Sequence, residues 1–418
     1  MAIQVMVQRS AGLDIAKASL VACAQVPTET GGGYRMVKAR FGTTCQQLAG
    51  LAAWLTGLGV TRVGMESTGD YWKPVFYWLE PQLECWLLNA RHIKAVPGRK
   101  TDATDAEWIC DIVAYGLAHP SFVPPPPIRR LRDLTRRRTV LLAERTREKQ
   151  RCEKTLEDAG VKLSVVATDI FGVSGRDMLA ALIAGERDGQ KLAALARGRM
   201  RRKKTALAEA LVGHFTDHHG FCCGQILRNV DHLDALIGEL DTRINTEIEP
   251  YQHKIDLLRT IPGVDRRTAE VIIAETGGDM SCFPSAAHLS SWAGVCPGNN
   301  KTGGKSRPGR LTPGDRWLKK ALGTAALANA RSKDTYLGAQ FRRIARRGGD
   351  HARKRATAAV GHSILVAVWH MLTTNTTYHD LGADYFLDRT NPDHQVRTML
   401  TRLNKLGFRV TLDPIEAA

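Results

Sequence analysis

The stretch "SFVPPPPIRR" constrains this chain more than any other. Its four consecutive prolines, Pro124–Pro127, carry no backbone N–H and have fixed φ, so neither a helix interior nor a central strand can run through them. A domain boundary is placed there, and the residues on its two sides read differently.

Before the boundary, strand and helix signals alternate. "SAGLDIAKASLVACAQV" reads as strand, bend and strand; "GVTRVGMEST" and "PQLECWLLNA" are further strands. Between them, "CQQLAGLAAWLTGL" and "YWKPVFYWLE" carry helical spacing, which implies an α/β domain with a mixed sheet over residues 1–123.

Beyond it the pattern is helical. Residues 128–160 set Ile128, Leu131, Leu134, Leu141 and Leu142 among many arginines, and 224–258 repeat apolar residues at spacings of three and four. Such helices can pair as an antiparallel hairpin, as a coiled coil between protomers, or as part of an ordinary bundle core. They define a segment over 124–250. Next, "LRTIPGVDRRTAEVIIAE" reads as a helix-hairpin-helix, whose turn at Gly263 offers N–H groups to a DNA phosphate, or else as a plain helical hairpin. With "PGDRWLKKALGTAALANAR" and "TAAVGHSILVAVWHMLTT" it forms a helical domain over 251–380, and 381–418 read as a peripheral tail.

Lys and Arg total 59 against 42 acidic residues, a net charge of +17, and this excess favours a polyanionic partner, nucleic acid first. No apolar run of about 18 residues is found, so no membrane span is expected. The N-terminus lacks the features of a signal peptide, and a cytoplasmic location follows as an expectation. The nine cysteines should then be reduced and mostly buried. "HFTDHHGFCC" gathers His214, His218, His219, Cys222 and Cys223, but adjacent cysteines without a second pair do not have zinc spacing. "ARGRMRRKK" is either a solvated face or a nucleic-acid contact.

Four acids of the α/β domain form an ordered set. Asp14 lies in the apolar strand "GLDIA", where a buried charge needs a partner or a metal. Glu66 ends a strand at the carboxyl edge, where open α/β sheets bind ligands. Asp102 and Asp105, three apart at a helix start, share a face, although capping alone also favours acids there. Oxygen donors without Cys or His select Mg2+ or Mn2+, which suit phosphoryl transfer.

The last feature is the loop "GNNKTGGKSRPGR", residues 298–310, with hydroxyls at Thr302 and Ser306 among Lys301, Lys305, Arg307 and Arg310. Its glycines permit close approach of a phosphate and its cations would hold the charge.

"GLDIAK", "MESTGDYWKPV", "NARHIKAVPGRKTDATDAEWICDIVAYG", "LRTIPGVDRRTAEVIIAE" and "FPSAAHLSSWAGVCPGNNKTGGKSRPGRLTPGDRWLKKAL" resemble, in order, the signature segments of DEDD insertion-sequence transposases of the IS one-ten family. The resemblance implies a RuvC-like, RNase H-type N-terminal domain with Asp14, Glu66, Asp102 and Asp105 as metal ligands. It also implies a coiled-coil dimerisation segment and a C-terminal transposase domain whose serine links covalently to DNA. Members of the family are guided by a structured bridge RNA that pairs with donor and target DNA, and assemble as tetramers whose active sites combine domains of different protomers; for this chain the resemblance implies a bacterial, nucleoid-associated homo-oligomer, dimer to tetramer.

The family serine lies five residues after the proline of the "GxxP" segment, just before a glycine; here that position holds Thr302. Threonine keeps the hydroxyl but its methyl crowds the approach. Thr302 is therefore the first candidate nucleophile and Ser306 the second. The competing readings are a Holliday-junction-resolvase-like nuclease that uses water, and a basic nucleic-acid scaffold without chemistry. No Walker-type motif is present, in keeping with chemistry that needs no ATP.

Overall fold

A computed structural model describes residues 5–29, 32–67, 69–90, 93, 96, 104–296, 301–306, 311–349, 351–388 and 392–411. The chain divides into two compact units, Met1–Val123 and Pro124–Ala418.

The first unit is built on a five-stranded mixed sheet. Its strands are β1 (Ser10–Ile15), β2 (Ser19–Pro27), β3 (Tyr34–Gly42), β4 (Arg62–Glu66) and β5 (Glu84–Leu88), in the order β3-β2-β1-β4-β5. β1, β2 and β3 form an antiparallel meander, whereas β4 and β5 run parallel to β1. The helices are α1 (Cys45–Gly57), α2 (Trp72–Leu79) and α3 (Asp105–Tyr115). β3 is absent from the sequence expectation because it is an exposed edge strand, rich in Arg and Lys, with no buried alternation.

Successive strand residues face opposite sides, so Ala11, Leu13, Val63 and Met65 share one core with Leu48, Leu51 and Leu55 of α1 and Val75 of α2. Gly12 and Gly64, paired across β1 and β4, face α3 instead. A Cβ on Gly12 would lie 2.2 Å from the Ala106 carbonyl oxygen and 2.3 Å from the Cys110 nitrogen; one on Gly64 would lie 2.4 Å from Val113 Cγ2. Two glycines in register thus form a flat patch that takes the α3 backbone at Gly12 and the α3 side chains Val113 and Ile109 at Gly64.

The second unit starts with α4 (Pro126–Asp158). Pro126 and Pro127 fall in its first turn, where a missing N–H costs nothing. The small helices α5 (Leu163–Val166), α6 (Val173–Ile183), α7 (Gly189–Ala194) and α8 (Lys204–Ala210) follow, with a 3-10 turn at Gly198–Lys203, and lead into α9 (Asp217–Ile248). The expected single helix over 224–258 is corrected. Pro250 interrupts the hydrogen-bond ladder, so a 3-10 turn at Glu249–Tyr251 separates α9 from α10 (Gln252–Leu258).

α4 and α9 pair antiparallel within the chain. Arg130 meets Glu247 (3.4 Å), Arg138 meets Asp241 (2.8 Å) and Arg145 meets Asp234, while Leu141, Leu233 and Ile237 fill the seam. At the far end of this hairpin, Leu156, Leu163, Met178, Leu182, Leu192, Leu207 and Phe215 close a separate small core.

At the near end sit α10, α11 (Arg266–Thr276), α12 (Ala286–Ala293), a two-stranded ribbon β6 (Lys301–Thr302) and β7 (Lys305–Ser306), α13 (Arg316–Asn329), α14 (Tyr336–Ala345) and α15 (Ala352–Thr374). α15 is long and apolar enough to cross a membrane by composition, which the run-length reading did not register. It is nevertheless a packed helix, with Ala356, Val360, Ile364, Leu365 and Val368 buried. The helices α16 (Tyr385–Asp388) and α17 (Pro392–Lys405) end the described chain; Met399, Leu406 and Phe408 there are exposed.

Four of the nine cysteines are buried, Cys23, Cys110, Cys152 and Cys223; Cys45 and Cys282 are exposed and the other three half-buried, so the expectation that most are buried is corrected. All nine are free thiols.

Candidate active site

The strand period places Asp14 on the same side as Gly12, and Glu66 on the same side as Gly64. Both therefore emerge at the carboxyl edge on the face that α3 covers. α3 runs back along β1, since the Cys110 thiol donates to the Ser10 carbonyl at 3.5 Å whereas Ala106 lies over Gly12. Its N-terminal residue Asp105 thereby joins the two strand acids.

The three carboxylates interact. Burial first, then the charges of Asp105 and Glu66, hold the Asp14 carboxyl above the usual aspartate range. That desolvation is partial, because the Asp14 side chain is exposed at the sheet edge, which corrects its expected burial: it lies one residue past the point where β1 leaves the core. Thr104, not an aspartate, caps α3, with its N–H donating to Glu107 Oε2 at 2.7 Å and its hydroxyl accepting from the Glu107 N–H at 3.4 Å. Lys38 of β3 holds Glu107 at 2.6 Å and fixes this end of the helix to the sheet. Asp102 lies outside the described residues.

Among the described residues, no group of three His, Cys, Asp or Glu side chains stands close enough to hold an ion. Three hard oxygen donors that repel one another are nonetheless the chemistry a divalent cation relieves, so the residues present fit Mg2+ or Mn2+ better than a soft metal.

In the second unit, the loop with the two hydroxyls has a defined base. Gly303 and Gly304, with φ of +57° and +77°, make the two-residue turn between β6 and β7, pairing Thr302 with Lys305 and Lys301 with Ser306. Here the glycines turn the chain. Arg307 and Arg310 lie outside the described residues.

The chain enters and leaves the loop through two left-handed glycines in backbone contact. A Cβ on Gly294 (φ +72°) would meet the Pro313 carbonyl oxygen at 2.7 Å, and one on Gly314 (φ +54°) would meet Ala293 at 2.5 Å. Lys319 then donates to the carbonyls of Thr312 and Pro313, 3.1 Å each. The two ends of the loop are thus pinned together, at Gly294 and Gly314.

A buried ion network ties that base to the long hairpin. Arg136 of α4 donates Nε and Nη2 to the two carboxylate oxygens of Glu275, at 2.8 and 2.7 Å. Its Nη2 also lies 3.5 Å from Asp315, which caps α13 by accepting from the N–H groups of Trp317 and Leu318. Arg132 donates to the carbonyls of Ala274 and Glu275. Glu275 is fully buried, and desolvation, outweighing the hydrogen bonds of Arg136, pushes its carboxyl up to about 7.

This has a sign. A carboxyl whose pKa is about 4.5 unfolded and about 7 folded binds its proton more tightly when folded, so its contribution is present below pH 4.5 and lost as pH rises through 7. Relative to Glu275→Gln, the wild-type chain should lose on the order of 2 kcal/mol of stability between pH 5 and pH 8. Urea unfolding of both proteins at the two pH values measures it; a difference independent of pH would remove Glu275 as the titrating group.

The other sequence candidates resolve as follows. Gly263 takes φ +80° in the turn between α10 and α11, and a Cβ there would meet Asn329 Nδ2 at 2.4 Å. Asn329 donates to the Pro262 carbonyl at 2.6 Å, and the Asp265 carboxylate accepts from the Thr268 N–H at the start of α11. The turn is therefore seated on α13, with an acid already at the helix N-terminus. The His/Cys cluster disperses around α9: His219 accepts from the Thr216 N–H and pairs with Asp158 at 3.2 Å, His218 faces Cys222, and Cys223 is buried. The basic side chains Arg199, Arg201, Arg202, Lys203 and Lys204 are all exposed.

Two features escaped the sequence reading. One is the Gly12/Gly64 patch, since register is not visible in one strand. The other is how far the charge extends beyond the basic linker "RRIARRGGDHARKR" that the sequence shows between these helices: residues 316–374 hold 12 Lys or Arg against Asp334 and Asp350. Among the described residues none of these cations forms an acid pair, whereas the α4/α9 hairpin is laced with them. The count was available in the sequence.

A mixed sheet with three acids at its carboxyl edge, followed by a helical unit with a cation-rich end, defines an enzyme that works on nucleic acid. Residues 11–160 match a DEDD transposase family model, and residues 255–342 match the model of the Transposase IS116/IS110/IS902 family. The chain is 28% identical over 307 residues to the insertion element IS900 uncharacterized 42 kDa protein of Mycobacterium paratuberculosis, covering 67% of this chain and 73% of that one. It is 33% identical over 141 residues to the insertion element IS110 uncharacterized 43.6 kDa protein of Streptomyces coelicolor, a third of each chain. It is also 36% identical over 78 residues to the pilin gene-inverting protein of Moraxella bovis, 18% of this chain and 24% of that one. The chain belongs to the IS110 family of transposases, enzymes acting on DNA.

Proposed function

We propose that this transposase cuts and rejoins DNA through a covalent link between a loop hydroxyl and a phosphate, with Asp14, Glu66, Asp102 and Asp105 as the carboxylate set. The observation that supports this reading is that β1, β4 and α3 bring Asp14, Glu66 and Asp105 to one end of the sheet, where desolvation first and then the two neighbouring charges hold the Asp14 carboxyl up. Bound there, Mg2+ or Mn2+ would supply charge neutralisation at the scissile phosphate.

The hydroxyl oxygen of Thr302, or of Ser306, attacks phosphorus. The bond to the 3′ oxygen breaks, and a proton passes to that oxygen to give a free 3′-OH. Attack by a new 3′-OH reverses the step and returns the hydroxyl, so the phosphodiester energy is conserved without ATP. Lys301, Lys305, Arg307 and Arg310 hold the phosphate charge. Donor and target DNA are selected by a structured guide RNA held by the exposed basic runs, in a homo-oligomer of two to four protomers.

The test is adduct trapping on denaturing gels with DNA of the element's ends, with and without ribonuclease treatment of the protein. Wild type should give a covalent protein–DNA band, Thr302→Ala should lose it, Ser306→Ala should keep it, and Asp14→Ala should cut at least a thousandfold less. Metal-dependent cutting without any adduct would instead support the resolvase-like, water-using reading; loss of the band only in Ser306→Ala would move the nucleophile there.

A further inference from the structure

A groove of about 580 Å3 opens between α13 and α15 beside the loop base, in the size range of small-molecule sites. Its floor is apolar, from Leu322 and the exposed walls Leu311 and Leu327, and its rim carries Arg353 and Lys354. Both cations are exposed, and among the described residues neither has an acidic partner.

Gly323 on the groove floor is the informative residue. It sits inside α13, where glycine costs about 1 kcal/mol relative to alanine. Packing does not require it: a Cβ there would meet nothing nearer than Thr357 Cγ2 at 3.8 Å, an ordinary contact. Gly263 and Gly314, by contrast, have backbone atoms within 2.6 Å of the same added atom. What the missing side chain preserves is open volume.

We infer that the groove takes one unstacked nucleotide of the DNA strand whose phosphate the loop holds, with its base on the leucine floor and its flanking phosphates on Arg353 and Lys354. The charge decides for this occupant. An apolar slot rimmed by two exposed cations, with no acidic partner among the described residues, complements a base between two phosphates, and an apolar side chain from a second copy would bring those cations no counter-charge. The site rests on the DNA-recombinase reading but involves none of its catalytic residues.

The probe is a single-stranded thymidine oligonucleotide with one 2-aminopurine, whose emission rises when the base leaves the stack. It is used with the full-length protein carrying Asp14→Ala, so that no cleavage contributes. Binding should raise the emission severalfold. Gly323→Leu, which fills the groove while favouring the helix, should abolish the rise and weaken binding about tenfold, the value of one base contact. Gly323→Ala should retain most of it, and Arg353→Ala with Lys354→Ala should weaken binding in a salt-dependent way.

An unchanged emission rise in a folded Gly323→Leu protein would overturn the assignment. So would a Gly323→Leu protein whose main change is its oligomeric state in sedimentation, since the groove would then seat another copy. Absence of a covalent adduct in the cleavage assay would sink the recombinase mechanism and leave these binding results standing.

Discussion

Gly12→Ala is expected to destabilise the first unit by about 3 kcal/mol and to reduce DNA cleavage far more than its stability loss explains. The added Cβ would lie 2.2 Å from the Ala106 carbonyl oxygen and 2.3 Å from the Cys110 nitrogen. Both are backbone atoms of α3, so no side chain can rotate away and the helix must lift. Lifting it separates Asp105 from Asp14 and Glu66. Gly50→Ala is the control: in α1 it meets nothing within 4 Å and should stabilise by about 0.5–1 kcal/mol. Thermal unfolding and cleavage of the two variants measure the contrast. A Gly12→Ala protein with wild-type cleavage would show that the patch does not set the carboxylates.

The second large effect is Arg138→Ala, expected to cost 3–5 kcal/mol in the second unit. Arg138 is 3% exposed and donates to Asp241 and to Glu270, which is 2% exposed. Without it, Glu270 keeps, among the described residues, one ion pair, to the half-exposed Arg266 at 3.0 Å, and a buried carboxylate loses its buried partner. Burial pushes Asp241 up, but Arg138 and Arg267 outweigh it and hold that carboxyl below the usual range, so the arginine serves two acids. Arg145→Ala, which breaks the more exposed pair with Asp234, should cost no more than about 1 kcal/mol. Denaturant unfolding of both variants decides; equal losses would mean that burial is not what gives the Arg138 cluster its strength. Replacing Arg138 and Glu270 together by apolar residues should recover most of the loss.

What was legible in the sequence was local. β1, β2, β4 and β5 follow from apolar runs, and Glu66 falls at the strand end where the polar turn begins. β3 was not legible, because an edge strand of Tyr, Arg and Lys buries almost nothing. The exposure of Asp14 depends on where β1 leaves the core, one residue after Leu13, which hydropathy does not resolve. The break at Pro250 was written in the chain but overrun by the apolar period on either side. Most distant from the sequence is the pairing of Arg136 with Glu275, 139 residues apart, since that proximity is made by the return of α9 along α4.

That return also sets a length. From Arg136, at the loop base, to Asp158, at the far end of α4, the helix rises roughly 33 Å. The exposed cations of Gly198–Lys203 flank the small core around that end, which includes Cys152 and Leu156 of α4. The antiparallel hairpin is thus a stiff rod that keeps the loop base and the small core at its two ends, whatever either end binds.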